Sequence, residues 1–356
     1  MTNILTEEMA MITSASRGIL ATATLVFAAA LSLPALAAKV DGPKVHWNFN
    51  MSGQPRAVSA GPEEMSRLVN EATGGAFMIQ MHYGSVLGPE KEVLDAISLG
   101  AYEATAAIMS YTPGRLPATE ALGLPFLPTP TIRHVRAMRE AYLTHPVVLA
   151  DIARWNATLI MPMPLSGNEF MGKGIPVKTL ADFKGMRVRA LAGAADAMKL
   201  LGAVPHNFPT SEIYGAMERG LLDASASQIN SFAAFKTHEV SKWYTTNLSL
   251  SSAPAFVLAG TKAYNALPSQ YRKLIADSVT PSLDYWVANM QEEDQKALKL
   301  FEQRGLTAVT FADDALDQLR KQVKPIWDSW VEDVTKKGYP GQELLGFLLA
   351  SAAKAM

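Results

Sequence analysis

Arg189 closes the segment GMRVRA, residues 185–190, which reads as a short strand bounded by turn residues. In open α/β sheets ligands gather beyond the carboxyl ends of the strands, and Arg189 stands at such an end. A guanidinium stays charged at physiological pH and offers two parallel donors that match the two oxygens of a carboxylate. The chemistry it suggests is capture of an organic acid; the structural alternative is a solvated arginine at a strand end. Other chemistries are poorly represented. His46, His82, His134, His145, His206 and His238 fall in different elements, with no metal-ligand spacing. His238-Glu239 opens like a zinc-protease helix, but Lys242 stands where the second histidine is required. The GxSxG, GxxxxGK[ST] and GxGxxG patterns are absent, the nearest glycine cluster being GKGIPV at Gly172. With no cysteine, disulfides, thiolate catalysis and cysteine-ligated metals are excluded. The expectation is a binding protein rather than an enzyme, with no cofactor and no metal.

The elements that must position Arg189 follow from periodicity. VHWNFN, residues 45–50, alternates as a strand; Met65, Leu68, Val69 and Ala72 recur at helical spacing and end at Gly74-Gly75. FMIQMHY is a second strand, PEKEVLDAISLG a helix closed by Gly100, and Ala104 to Ser110 a third strand of small and apolar residues. A second set begins at TLIMPMP, passes the turn-rich GNEFMGKGIPV, and continues through GMRVRA, helices near 194–201 and 213–219, and the strand LLDASAS. From Pro268 to Arg304 the pattern is helical with an interruption expected at Pro281, and a last helical region spans Asp313 to Lys337.

A chain of 356 residues exceeds one ordinary core and suggests two lobes. Lys plus Arg number 32 against 33 Asp plus Glu, interspersed, so no basic face gathers phosphates and nucleic acid is not an expected partner. At the amino terminus Arg17 precedes an uncharged run from Ile19 to Leu33, and Ala35-Leu36-Ala37 supplies small residues before Ala38: residues 1–37 read as a cleaved secretory signal peptide. The run is short for a membrane-spanning helix, which needs about twenty residues. Glu7 and Glu8 would be explained by a start at Met9 or Met11.

The segment from Asp182 to Ala224, DFKGMRVRALAGAADAMKLLGAVPHNFPTSEIYGAMERGLLDA, resembles the core signature of the TRAP transporter solute-binding proteins, the DctP-like family. The stretch Thr73 to Ala104, LGLPFL at Leu122 to Leu127, and KTHEVSKW at Lys236 to Trp243 resemble it too, so the likeness covers essentially the whole mature chain. It implies a type II periplasmic-binding-protein fold: two α/β lobes with a ligand cleft between them and a long helix touching both. The lobes would comprise residues 38–164 with roughly 253–285, and 165–252 with roughly 286–312, braced by C-terminal helices in 313–356. It further implies a periplasmic location, a small organic acid as ligand, and small and large membrane subunits as partners. The alternatives are a secreted enzyme acting on small acids and a ligand-sensing protein.

Residue by residue, the resemblance places Arg189 on the ligand carboxylate, and Asn50, Tyr83, Tyr111 and Thr210 in the cleft. Structural alternatives are ring burial for the tyrosines and helix capping for Thr210. Two departures bear on the ligand. DASAS replaces the more usual DGxEN, putting Ser227 where an amide is common, and Glu169 stands where sialic-acid-type members carry a second arginine. A Glu169 facing the ligand would repel a second carboxylate, which suggests a monocarboxylate with an apolar or aromatic body, such as a hydroxybenzoate; the alternative is a Glu169 turned to solvent.

Overall fold

Alternation decides the first strand: in β1 (Val45–Asn50), Trp47 and Phe49 enter the core while His46 stays exposed. The computed structural model describes residues 39–355, and the expected signal peptide lies outside them. The remaining strands are β2 (Phe77–His82), β3 (Ala104–Ile108), β4 (Ala157–Pro162), β5 (Glu169–Gly172), β6 (Arg187–Arg189), β7 (Val204–His206), β8 (Ala224–Ser227), β9 (Trp243–Thr245), β10 (Ala255–Gly260) and β11 (Thr307–Val309).

Two sheets result, ordered β2-β1-β3-β10-β4 and β11-β9-β5-β8-β6-β7. In the first, β1 is parallel to β2 and β3, whereas β10 runs antiparallel to β3 and β4. In the second, β6 is parallel to β7 and β8, whereas β5 runs antiparallel to β8 and β9. Each sheet thus receives its one reversed strand directly after a crossing from the other sheet, β4 to β5 and β9 to β10. The crossings lie side by side: Asn168 N donates to Ser251 O (2.8 Å), Leu250 N to Asn168 O (3.1 Å) and Met163 N to Ala255 O (3.1 Å).

The short apolar strands are covered on both faces, as such runs require. On the first sheet Trp47, Phe77 and Val257 pack with Trp286, while Ala107, Phe256 and Leu258 pack with Leu344 and Leu348. Trp286 is fully buried, worth about 1.5–3 kcal/mol on the scale for large apolar side chains. On the second, Val188, Phe170 and Trp243 face Leu316 and Leu319, and Met171 and Tyr244 face Phe301.

Three expectations are corrected. The turn-rich reading of GNEFMGKGIPV missed β5, an interior strand whose Gly172 is required because a Cβ there would meet Trp243 Cζ2 at 2.2 Å. The third strand stops at Ile108, and residues 109–111 turn in a 3-10 helix that presents Tyr111. Pro281 does not interrupt its helix, which runs unbroken from Ser269 to Gln303. Proline costs one backbone hydrogen bond, but the following turns are pinned by the buried Ser282, Leu283, Trp286, Val287 and Met290. This helix, about 50 Å long at 1.5 Å per residue, packs on the helix Ala60–Thr73 of the first sheet and on Ile229–Ala234 of the second. The final helical region divides into Asp313–Gln322 and Lys324–Lys336, followed by Gly341–Ala355, which packs on the helix Ile132–Tyr142. Among the described residues no helix is long and apolar enough to cross a membrane.

Candidate functional site

Where the carboxyl ends of β1, β3, β6 and β8 converge, the two sheets border a narrow cavity with ≈ 30 Å³ of free space. Its polar wall is Arg189, Tyr111, Thr210, Gln228, Ser231 and Arg56. Val58, Ile108, Leu165, Leu191 and Ala253 make the apolar wall. That space is far below the roughly 300–1,000 Å³ of an open small-molecule site, so the two sheets stand nearly closed over it, and the mixed lining suits a small amphipathic guest.

Arg189 reaches this cavity because of strand period. Val188 points into the second core, so Arg187 and Arg189 share the other face; Arg187 pairs with Asp223 at 2.6 Å near the surface, and Arg189 is left 4% exposed at the inner end. Its guanidinium is held in plane by three acceptors: Nε donates to Phe208 O (3.0 Å), Nη1 to Ala226 O (2.7 Å) and Nη2 to Thr210 Oγ1 (3.3 Å). Of its five N–H donors these use three, leaving one on each Nη, the pattern that a carboxylate can accept from as a fork. Among the described residues no carboxylate pairs with Arg189. Burial pushes its pKa below the ordinary value, opposed by Tyr111. An anion brought into the cavity would offset that cost.

Thr210 and Tyr111 are linked across the two sheets. Their side-chain oxygens lie 3.0 Å apart, and Thr210 N donates to the Tyr111 hydroxyl at 3.3 Å. The chain Tyr111–Thr210–Arg189 therefore ties the end of β3 to the end of β6.

The other expected residues lie elsewhere. Asn50 borders a small adjoining cavity with Glu90, Ile108 and Tyr111; its amide donates to Gly88 O (3.1 Å) and its Oδ1 has no partner. Tyr83 is outside the Arg189 cavity and donates its hydroxyl to Glu63 at 2.6 Å; burial and that carboxylate hold its pKa well above the ordinary phenol range. Ser227 is buried in β8, opposite Glu169, and the cavity takes its amide from the next residue, Gln228. Glu169 neither borders the cavity nor turns to solvent: it is 6% exposed and accepts from Thr245 Oγ1 (2.5 Å), Leu248 N (3.0 Å) and Ser249 N (2.8 Å). Burial pushes this carboxyl above its ordinary 4.5, with those three donors acting in the opposite direction. Glu169 thus anchors the segment leading into the second crossing. Among the described residues no cluster of histidine and acidic side chains could hold a metal.

Sequence reading missed Arg56, Gln228 and Ser231. The rule that singled out Arg189 points to Gln228, which directly follows β8, whereas Arg56, beyond the end of β1, and Ser231, on the helix Ile229–Ala234, reach the cavity only through tertiary packing. It also missed Arg139, which is fully buried where the two crossings meet. Its Nη1 donates to Met163 O and its Nη2 to Ser252 Oγ (2.9 Å) and Ala253 O (2.7 Å); burial lowers its pKa to about 9.

Comparison with known proteins gives a consistent picture. The profile of the bacterial extracellular solute-binding proteins of family 7, DctP, matches residues 51–333. The C4-dicarboxylate-binding periplasmic protein DctP of Rhodobacter capsulatus is 25% identical over 288 residues, covering 78% of this chain and 82% of the relative. A TRAP solute-binding protein from Rhodoferax ferrireducens, in complex with copurified benzoate, is similar with a TM-score of 0.79 at 24% identity, over 88% of this chain and 98% of that one. A marine metagenome TRAP solute-binding protein from an unidentified microbe, specific for aromatic acid ligands and in complex with 3-hydroxybenzoate, is similar with a TM-score of 0.79 at 22% identity, over 88% of this chain and 99% of that one. At these identities the structures establish the architecture, which is the type II periplasmic binding fold.

Proposed function

This chain belongs to family 7 of the bacterial extracellular solute-binding proteins, and from that premise we propose that it is the periplasmic receptor of a TRAP-type transporter, holding a small organic carboxylate on Arg189. The observation that carries the reading is a nearly fully buried guanidinium without a carboxylate partner, two of its donors unspent, in an enclosed cavity between the sheets. The acid binds in an open form, the halves close about the paired crossings, and exclusion of water strengthens the ion pair. The apolar wall favours a guest with an aromatic or otherwise apolar body, such as a hydroxybenzoate. Aromatic acids bound to two structural relatives support that preference. The guest leaves unchanged: the role is delivery to the small and large membrane subunits, and no conversion takes place.

Native mass spectrometry of protein purified from its own periplasm tests this directly. A mass increment released by mild denaturation and identified as a small carboxylic acid is the expected result, with proton NMR finding that acid intact after prolonged incubation. A protein that neither carries nor takes up any acid overturns the reading, and turnover of the acid overturns its non-enzymatic part.

A further inference from the structure

Arg56 lines the same cavity as Arg189 and also borders a more open groove formed with Asn230, Ala233, Glu293, Lys296 and Leu300. It therefore stands between the enclosed space and the outside. Its Nη1 donates to Ser52 O (2.6 Å) and Gln54 O (3.0 Å), and its Cζ lies 5.1 Å from the centroid of the Phe235 ring. Ser52 follows a strand of the first sheet and Phe235 a helix after β8 of the second, so this side chain touches both halves. The stack needs Gly53: a Cβ there would meet Arg56 Nη1 at 2.6 Å and Phe235 Cζ at 2.9 Å, at a φ of +68° that favours glycine in any case.

What remains of this guanidinium is unspent. Nε is buried without any partner. Among the described residues no carboxylate is paired with Arg56, and Glu63 and Glu90 act on it only from a distance. Two cations thus border one small cavity with no acid paired to either. A guest with a single carboxylate would satisfy Arg189 and leave a buried donor of Arg56 unmade, which is costly. We propose that Arg56 is a second recognition group, and that the bound acid presents to it a further oxygen acceptor: a ring hydroxyl, a keto oxygen or a second carboxylate. Glu169, turned into the protein, raises no obstacle to such a group.

This rests on Arg189 as the carboxylate anchor, so the test separates the two. Isothermal titration is run with benzoate, 3-hydroxybenzoate and benzene-1,3-dicarboxylate, and with butanoate, 2-oxobutanoate and butanedioate, against the wild type, Arg56→Gln, Arg56→Lys and Arg189→Met. In at least one series the acids with a second oxygen should bind wild type about tenfold or more tighter than the plain acid, the margin of one charge-assisted hydrogen bond. Arg56→Gln should bring the ratio of oxygenated to plain acid affinity down to about one, and Arg56→Lys should restore part of the margin. Arg189→Met should abolish all binding. If the plain acids bind wild type as tightly as their oxygenated counterparts, or Arg56→Gln weakens all acids equally, Arg56 only closes the mouth and the inference fails. If Arg189→Met leaves the acids bound, or none binds at all, the anchor itself is lost and the inference with it. Melting curves of each variant guard against misfolding, with Arg56→Lys as the conservative check.

Discussion

Replacing Arg189 by lysine keeps the charge but removes the fork, and the geometry sets the size of the effect. In the wild type three donors are committed to Phe208 O, Ala226 O and Thr210 Oγ1, and two remain for a ligand carboxylate. An ammonium has three donors in all and one centre, so it cannot serve two strand-end carbonyls and both oxygens of a guest. One to two charge-assisted bonds to the ligand are lost, at about 1.5–3 kcal/mol each before partial recovery by the remaining charge. A net loss of about 2–4 kcal/mol weakens Kd roughly thirty- to thousandfold. The assay is isothermal titration with the acid identified by native mass spectrometry, at low and high salt. Because the pair is buried, added salt should change the wild-type affinity much less than it would an exposed pair. Near-UV circular dichroism and a melting curve establish that Arg189→Lys is folded. A folded Arg189→Lys that binds the acid within threefold of wild type would falsify the anchoring role.

Thr210→Val removes the oxygen shared by Arg189 and Tyr111 and should weaken acid binding about tenfold; a double-mutant cycle with Tyr111→Phe should give a coupling of at least about 0.5 kcal/mol, and simple additivity would break the proposed chain. Arg139→Met leaves the carbonyls of Met163 and Ala253 buried and unpaired, so urea unfolding should show a loss of about 3–5 kcal/mol, whereas a loss below about 1 kcal/mol would mean that the crossings hold without it. Glu169 has its pKa raised in the folded state, so the fold takes up a proton there: its contribution is fully present below the ordinary 4.5 and is lost as pH rises through the higher folded value. Urea midpoints from pH 4 upward should therefore shift the balance between wild type and Glu169→Gln progressively toward the variant, and a shift the other way refutes the sign.

Local patterning made much of this protein readable before any coordinates. The alternation in VHWNFN marked β1, whose Trp47 and Phe49 are buried, and GMRVRA was legible as a strand ending near Arg189; helical period and terminal glycines bounded the helices around them. The rule that ligands sit beyond strand ends singled out Arg189, because it depends only on where one strand stops. Whether Tyr83, Asn50, Ser227 or Glu169 faced the same space depended on partners distant in sequence, and only the tertiary structure decided it. Glu169 is captured by donors in the 245–249 segment, about eighty residues on, and Tyr83 by Glu63 on a helix packed beside it. Pro281 is carried by the core residues that follow it, which no local propensity can foresee. Arg56 joins Arg189 only because two sheets, joined by paired crossings, bring their strand ends together. Periodicity is a property of neighbours along the chain, whereas the charge balance of a cavity belongs to elements that meet only when the chain has folded.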